Sequence, residues 1–224
     1  MSHWINLVTP YGRMNGWSAE PDDKPNGGVV LVHDLFGVNE DIRAIAERYA
    51  EEGYLTVAPA LFDKIQREVE MTYEAENQRL GADLAERLGF DTAVELVKTT
   101  ADAIGHAGKV AIIGYGWGGA VALRAAAVLD ASCVSYYGDV ALDMEGEKTF
   151  PLLLHHGAAD DRFAPDKLDL YQDSYPGLET FSYPAGVIFD RESHPLYHHA
   201  ESAELAFQQT RRFLRDHIRH ENDV

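Results

Sequence analysis

Short, nearly continuous apolar runs alternate along this chain with longer amphipathic or polar stretches, and that alternation predicts an α/β architecture. Gly28 to His33, Val110 to Ile113, Ala131 to Tyr137 and Pro151 to His156 are apolar almost throughout. Runs of that kind mark strands buried on both faces of a parallel sheet. Tyr54 to Pro59 reads as a further short strand ended by proline, and Thr180 to Tyr183 as the last one. Ahead of them, Ile5–Val8 and Arg13–Ala19 predict a hairpin around the turn Thr9-Pro10-Tyr11-Gly12, followed by a polar turn from Pro21 to Gly27. Helical stretches fill the intervals. Asn39 is placed to cap a helix reaching about Glu51, with Glu40 and Asp41 favourable in its first turn. Residues from about Gln66 to His106 predict two or three helices broken near Gly89-Phe90-Asp91, and Lys167 to Tyr175 one more. His198 to His217 predicts a long terminal helix turning Leu205, Ala206, Phe213 and Leu214 toward the core. No Pro/Gly/Ser-rich linker interrupts the series. The expectation is one domain over residues 1–224, a mostly parallel central sheet with helices on both faces.

The centre of the pattern is Val110-Ala-Ile-Ile-Gly-Tyr-Gly-Trp-Gly-Gly119, a strand, a tight turn and the start of an alanine-rich helix. Two functional templates fit this turn. Read around position 116, it is a nucleophile elbow, in which a strained turn lifts one side chain above a sheet. Read as Gly114-x-Gly116-x-x-Gly119, it is a dinucleotide fingerprint, with Asp139 about twenty residues on as a ribose-binding acid. An elbow needs a nucleophile at 116, and this chain has glycine there.

Composition narrows the choice. The formal charge of −18 argues against nucleic acid and anionic membranes as partners, since both require basic patches. Acids are scattered, as at Asp22-Asp23 and Glu51-Glu52, in the manner of a solvated surface. No apolar run approaches the ~20 residues of a membrane span, and Met1 to Asn6 has no basic region or apolar signal core. With a single cysteine, Cys133, this leads to the expectation of a cytoplasmic protein without an internal disulfide. The ten histidines carry no H-E-x-x-H or C-x-x-C framing, so no metal site is expected. His194 and His198 share helical spacing, but Pro195 stands between them.

Four segments occur in order: His33-Asp34-Leu35-Phe36-Gly37, Gly114-Tyr-Gly-Trp-Gly-Gly119, Ser135-Tyr-Tyr-Gly138 and His155-His-Gly-Ala-Ala-Asp160. With these the chain resembles the dienelactone hydrolase family from about residue 5 to residue 215. The resemblance implies an α/β-hydrolase-like sheet of eight strands. It also implies a Cys-His-Asp triad attacking esters or lactones, and no cofactor. Carried over residue by residue, the family's cysteine in Gly-Tyr-Cys-x-Gly-Gly falls on Gly116. Its base in Gly-His-x-Phe falls on Val187, within Gly186-Val-Ile-Phe189. The acid falls on Asp160, by spacing from Gly157, or on Asp161, by spacing to Pro165, with Asp160 preferred. Asp34 stands where the family usually has Glu. The backbone N–H groups of Leu35 and Trp117 take the oxyanion-hole positions.

Glycine offers no atom to attack a carbonyl, and valine moves no proton. The expectation is a catalytically impaired pseudo-hydrolase retaining a small-molecule pocket. A working hydrolase would need Asp34, His33, His155 or His194 to activate water. Cys133, mid-strand among small apolar neighbours, reads as a core thiol, and Tyr136 and Tyr137 as core aromatics.

Overall fold

A computed structural model describes residues 1–138, 150–194 and 196–218. Eight strands form one sheet: β1 (Ser2–Thr9), β2 (Gly12–Ala19), β3 (Gly28–Val32), β4 (Leu55–Pro59), β5 (Val110–Tyr115), β6 (Ser132–Tyr136), β7 (Leu152–Gly157) and β8 (Leu178–Tyr183). Their spatial order is β1-β2-β4-β3-β5-β6-β7-β8. The β1–β2 hairpin and the β2–β4 pair are antiparallel, and every pair from β4 to β8 is parallel. The predicted strands are all present, and the hairpin arms and β8 start earlier than the apolar pattern alone indicated. All five residues of β3, β4 and β6 are buried, as two covered faces require.

The helices are α1 (Glu40–Glu51), α2 (Ala75–Leu88), α3 (Phe90–Ile104), α4 (Trp117–Leu129), α5 (Pro165–Ser174) and α6 (Ala200–His217). Asn39 caps α1, its side chain accepting from the Ile42 N–H at 3.2 Å. The long polar stretch resolves into α2 and α3, divided at Gly89, whose φ of 79° ends one helix and opens the next. Helix α5 begins at Pro165, two residues before the expected start, because proline is favourable in a first turn. Helix α6 begins at Ala200, with the His199 ring accepting from the Ser202 N–H. Its Ala206, Phe213 and Leu214 are buried as expected, but Leu205 is 43% exposed. The buried stripe runs through Ser202, Ala203, Ala206, Phe207, Thr210 and Phe213 instead. Leu205 lies beside that stripe. No helix among the described residues is long and apolar enough to cross a membrane.

One polar network lies inside the core between the sheet and α6. His155 bonds the Tyr183 hydroxyl and Thr210 Oγ1, both at 2.9 Å, and Thr210 Oγ1 also meets the Tyr136 hydroxyl at 2.8 Å. Burial lowers the His155 pKa from 6.5 to about 3. The unfolded chain therefore binds a proton on this residue that the folded chain refuses. The stability tied to it is whole above pH 6.5 and is lost as pH falls toward 3. Between pH 7.5 and 5.5 the loss should be about 1 kcal/mol. His155→Gln, which does not titrate, should flatten the pH dependence of chemical denaturation by that amount. An unchanged slope would show that His155 is not held neutral.

Candidate active site

The chain leaves β3 for β4 on one side and later returns to β5 on the other, so the carboxyl ends of β3 and β5 form a switch point where ligand crevices open. His33 to Leu35 follow β3 there, and Gly116 follows β5. Tyr137 follows β6, Asp160 lies just past β7, and residues 184–191 follow β8. Five loops thus converge on one edge of the sheet.

Gly116 has φ 52° and ψ −121° and sits between β5 and the first residue of α4. That is a tight strand-to-helix turn in a conformation that costs a residue with a side chain about 1–3 kcal/mol. A Cβ at this position would find room, with Asp34 Cβ 3.5 Å away and Tyr137 Cε2 4.0 Å away. Its glycine neighbours are different. A Cβ on Gly114 would stand 2.1 Å from the Gly118 oxygen, one on Gly118 2.1 Å from the His33 oxygen, and one on Gly119 2.5 Å from Ser135 Oγ. These three let α4 lie directly on the strands, so the Gly114/Gly116/Gly119 pattern needs no phosphate to explain it. Asp139 lies outside the described residues. Trp117 opens α4, so its N–H has no acceptor within its own helix. Its ring stacks on Phe62 at 5.6 Å.

The proposed bases are held in structural roles. His33 is fully buried, its Nδ1 2.6 Å from the Asp34 carbonyl oxygen and its Nε2 accepting from the Leu61 N–H at 3.2 Å. That pairing assigns the proton to Nδ1 and leaves no free lone pair. Burial also lowers its pKa. His155 has both ring nitrogens engaged, as described above. His194 packs its ring against Tyr73 at 5.2 Å and Tyr197 at 4.4 Å. Residues 192–194 and 196–198 form turns rather than a helix, and Pro195 lies outside the described residues. Cys133 is fully buried in β6, and burial pushes its thiol up.

Asp34 is buried, and both carboxylate oxygens are engaged. Oδ1 accepts from the Phe36 N–H at 3.0 Å, and Oδ2 from Arg191 Nη2 at 3.2 Å. Arg191 is the residue that the sequence reading missed. It is completely buried, with Asp34 on one side and Asp190 Oδ2 at 3.5 Å, and its guanidinium lies 4.2 Å over the Tyr115 ring. Burial opposes its charge, but Tyr137, Asp190, Tyr73 and Asp34 around it keep it firmly protonated. Asp190 is raised above the ordinary carboxylate range by burial, partly offset by Arg191 and by the Tyr137 hydroxyl, which donates to it at 2.8 Å. Tyr137 and Ile188 flank this cluster with φ of 44° and 58°, conformations that non-glycine residues hold only under strong tertiary constraint. The signal in the sequence is the adjacent pair Asp190-Arg191 directly after the apolar Val187-Ile-Phe189.

Asp160 is buried and Asp161 exposed. Asp160 caps the short turn Asp161–Phe163, and Arg162 grips its carboxylate with Nε 3.0 Å from Oδ1 and Nη2 2.7 Å from Oδ2. Ala159 N–H bonds the Ala185 oxygen at 3.1 Å, which brings the Asp160 segment alongside the one carrying Val187. Leu35, Gly116, Trp117 and Val187 are half-buried. Cavities of about 710, 630, 440 and 190 Å³ lie elsewhere, and none of the four includes Gly116, Asp160 or Val187. The expected small-molecule pocket is therefore not one of these larger cavities.

Comparison with known proteins agrees with this fold. The profile of the Dienelactone hydrolase family matches residues 14–218. The carboxymethylenebutenolidase of a Pseudomonas species is 31% identical over 188 residues, covering 75% of this chain and 76% of that protein. Carboxymethylenebutenolidase 1 of Cupriavidus pinatubonensis is 27% identical over 203 residues, covering 84% and 86%. Among solved structures, a dienelactone hydrolase-like promiscuous phosphotriesterase from metagenomic libraries superposes with a TM-score of 0.79 at 18% identity, covering 97% of this chain and 98% of the other. At that identity the likeness concerns the fold alone.

Proposed function

The chain belongs to the dienelactone hydrolase family, and we propose that it engages a small ester- or lactone-like ligand without the covalent hydrolysis its triad positions would otherwise perform. The observation that carries this reading is Gly116. It stands at the elbow between β5 and α4, in the turn conformation a nucleophile would occupy, and has no side-chain atom to attack with. Val187 holds the base position and cannot accept a proton. In this reading Asp160 is the remaining acid. Leu35 and Trp117 donate their N–H groups to a carbonyl oxygen, and the ligand lies between them and Val187. The relatives' names speak of a butenolide, an unsaturated lactone, and that is the ligand class this reading favours.

Water activation by Asp34, His33, His155 or His194 is the competing reading. Its weakness lies in the hydrogen bonds that already occupy Asp34, His33 and His155.

Stopped-flow measurement with p-nitrophenyl acetate and with an unsaturated lactone tests the proposal. The expected trace has no burst. Any steady rate should stay within the roughly 10³–10⁴-fold over water that an oxyanion hole and binding leave behind. A burst stoichiometric with protein would overturn it.

A further inference from the structure

Asp160 is the one triad position that keeps a chemically competent side chain, yet its carboxylate is already engaged. Its side chain is 4% exposed, and Arg162 addresses it three times. Nε and the backbone N–H reach Oδ1 at 3.0 and 3.1 Å, and Nη2 reaches Oδ2 at 2.7 Å. A triad acid orients an imidazole and stabilises the imidazolium that forms during reaction, which requires its negative charge to be available to that ring. A guanidinium fork is the strongest side-chain partner a carboxylate has in a protein, and it stays charged at every ordinary pH. The Arg162 guanidinium lies 5.6 Å from the Phe163 ring centre, and the side chain as a whole is 40% exposed.

We propose that Arg162 sequesters Asp160, so that the triad is disarmed at all three positions, and that restoring a nucleophile and a base is not enough to restore the acid's function. This rests on the reading of Gly116, Val187 and Asp160 given above. Arg162 acts here as a positioning residue, holding a carboxylate away from the role its place in the fold would give it. Lysine at 162 would keep the charge and lose the fork, whereas glutamine would lose the charge.

The most direct test is an NMR titration of the imidazole introduced by Val187→His in the full chain, with Arg162 intact and with Arg162→Gln. With Arg162 intact, the ring should titrate near an ordinary histidine. With Arg162→Gln, its pKa should rise by about one unit, because the carboxylate is free to favour the charged ring. Adding Asp160→Asn should abolish that rise. In the Gly116→Cys/Val187→His background, Arg162→Gln should raise ester hydrolysis by about tenfold or more, up to the ~10⁴-fold that loss of proper triad-acid function costs. Arg162→Lys should give a smaller gain. The titration keeps the proposal testable even if the elbow cysteine destabilises the fold.

Two failures are distinguishable. If the introduced ring already senses Asp160→Asn with Arg162 present, and Arg162→Gln changes nothing, Arg162 does not sequester the acid while the placement of the site stands. If the ring ignores Asp160→Asn in both backgrounds, position 187 does not face Asp160. The reading of the site then fails and takes this proposal with it.

Discussion

Arg191→Met is expected to lower the unfolding free energy by about 3–5 kcal/mol, the range for breaking one partner of a buried ion pair. At this chain length that corresponds to a fall in Tm of roughly 6–20 °C. The guanidinium is fully buried between Asp34 and Asp190, and methionine fills a similar volume without a charge. The cost therefore comes from what is left behind, namely two buried carboxylates facing each other without a cation. Asp190 adapts most easily, since burial already raises its pKa and protonation would remove its charge. Asp34 has less freedom, because its Oδ1 also holds the Phe36 N–H and thereby the turn after β3. Combining Arg191→Met with Asp34→Asn and Asp190→Asn should recover most of the loss, as replacement of a whole buried ionic group usually does. Chemical denaturation of the parent, the single variant and the combined variant checks this. A cost below about 1 kcal/mol for the single change would mean that the guanidinium reaches solvent and that the cluster is not a fixed part of the site.

The second large effect separates two glycines that are only two residues apart. Gly118→Ala should cost about 3 kcal/mol or more, because its Cβ would lie 2.1 Å from the His33 carbonyl oxygen and 2.6 Å from that of Val32. Both are backbone atoms at the end of a buried strand, so neither can turn aside, and α4 must lift off the sheet. Gly116→Ala should cost only the strain of its φ, about 1–3 kcal/mol, since the nearest atoms stand at ordinary contact distance. The contrast is informative about function as well as stability. One glycine is required by close approach of backbones, and the other occupies a place built with room for a side chain. Equal costs measured by thermal and chemical denaturation would remove the structural ground for calling position 116 an elbow.

Much of the architecture was legible in the residues because burial on both faces leaves a simple trace. The apolar runs at Gly28–His33, Val110–Ile113 and Pro151–His156 have few other homes than a covered parallel sheet, and each is a strand. Asn39 capped its helix because a side-chain oxygen three residues before an N–H is a local matter. That glycine at 116 has no nucleophilic atom and valine at 187 no titratable group was likewise readable, since both are properties of the residue itself. Helix α6 shows the limit of the pattern. Its period fixed a face, yet Leu205 fell at the margin and is exposed, because the width of a buried stripe depends on what packs against it.

The chain by itself determined the order of strands and helices and the turn at Gly116, both of which depend on residues close together in sequence. Only the tertiary structure decided which buried polar and charged groups meet. Arg191 reaches Asp34 across 157 positions, and His33 accepts from Leu61 across 28. Arg162 lies two residues from Asp160, yet even that contact was hidden, because spacing does not say which way a side chain turns. The physical reason is clearest for Arg191. Local preferences are set by backbone geometry and side-chain shape, whereas a buried charge is tolerated only where distant segments converge to neutralise it.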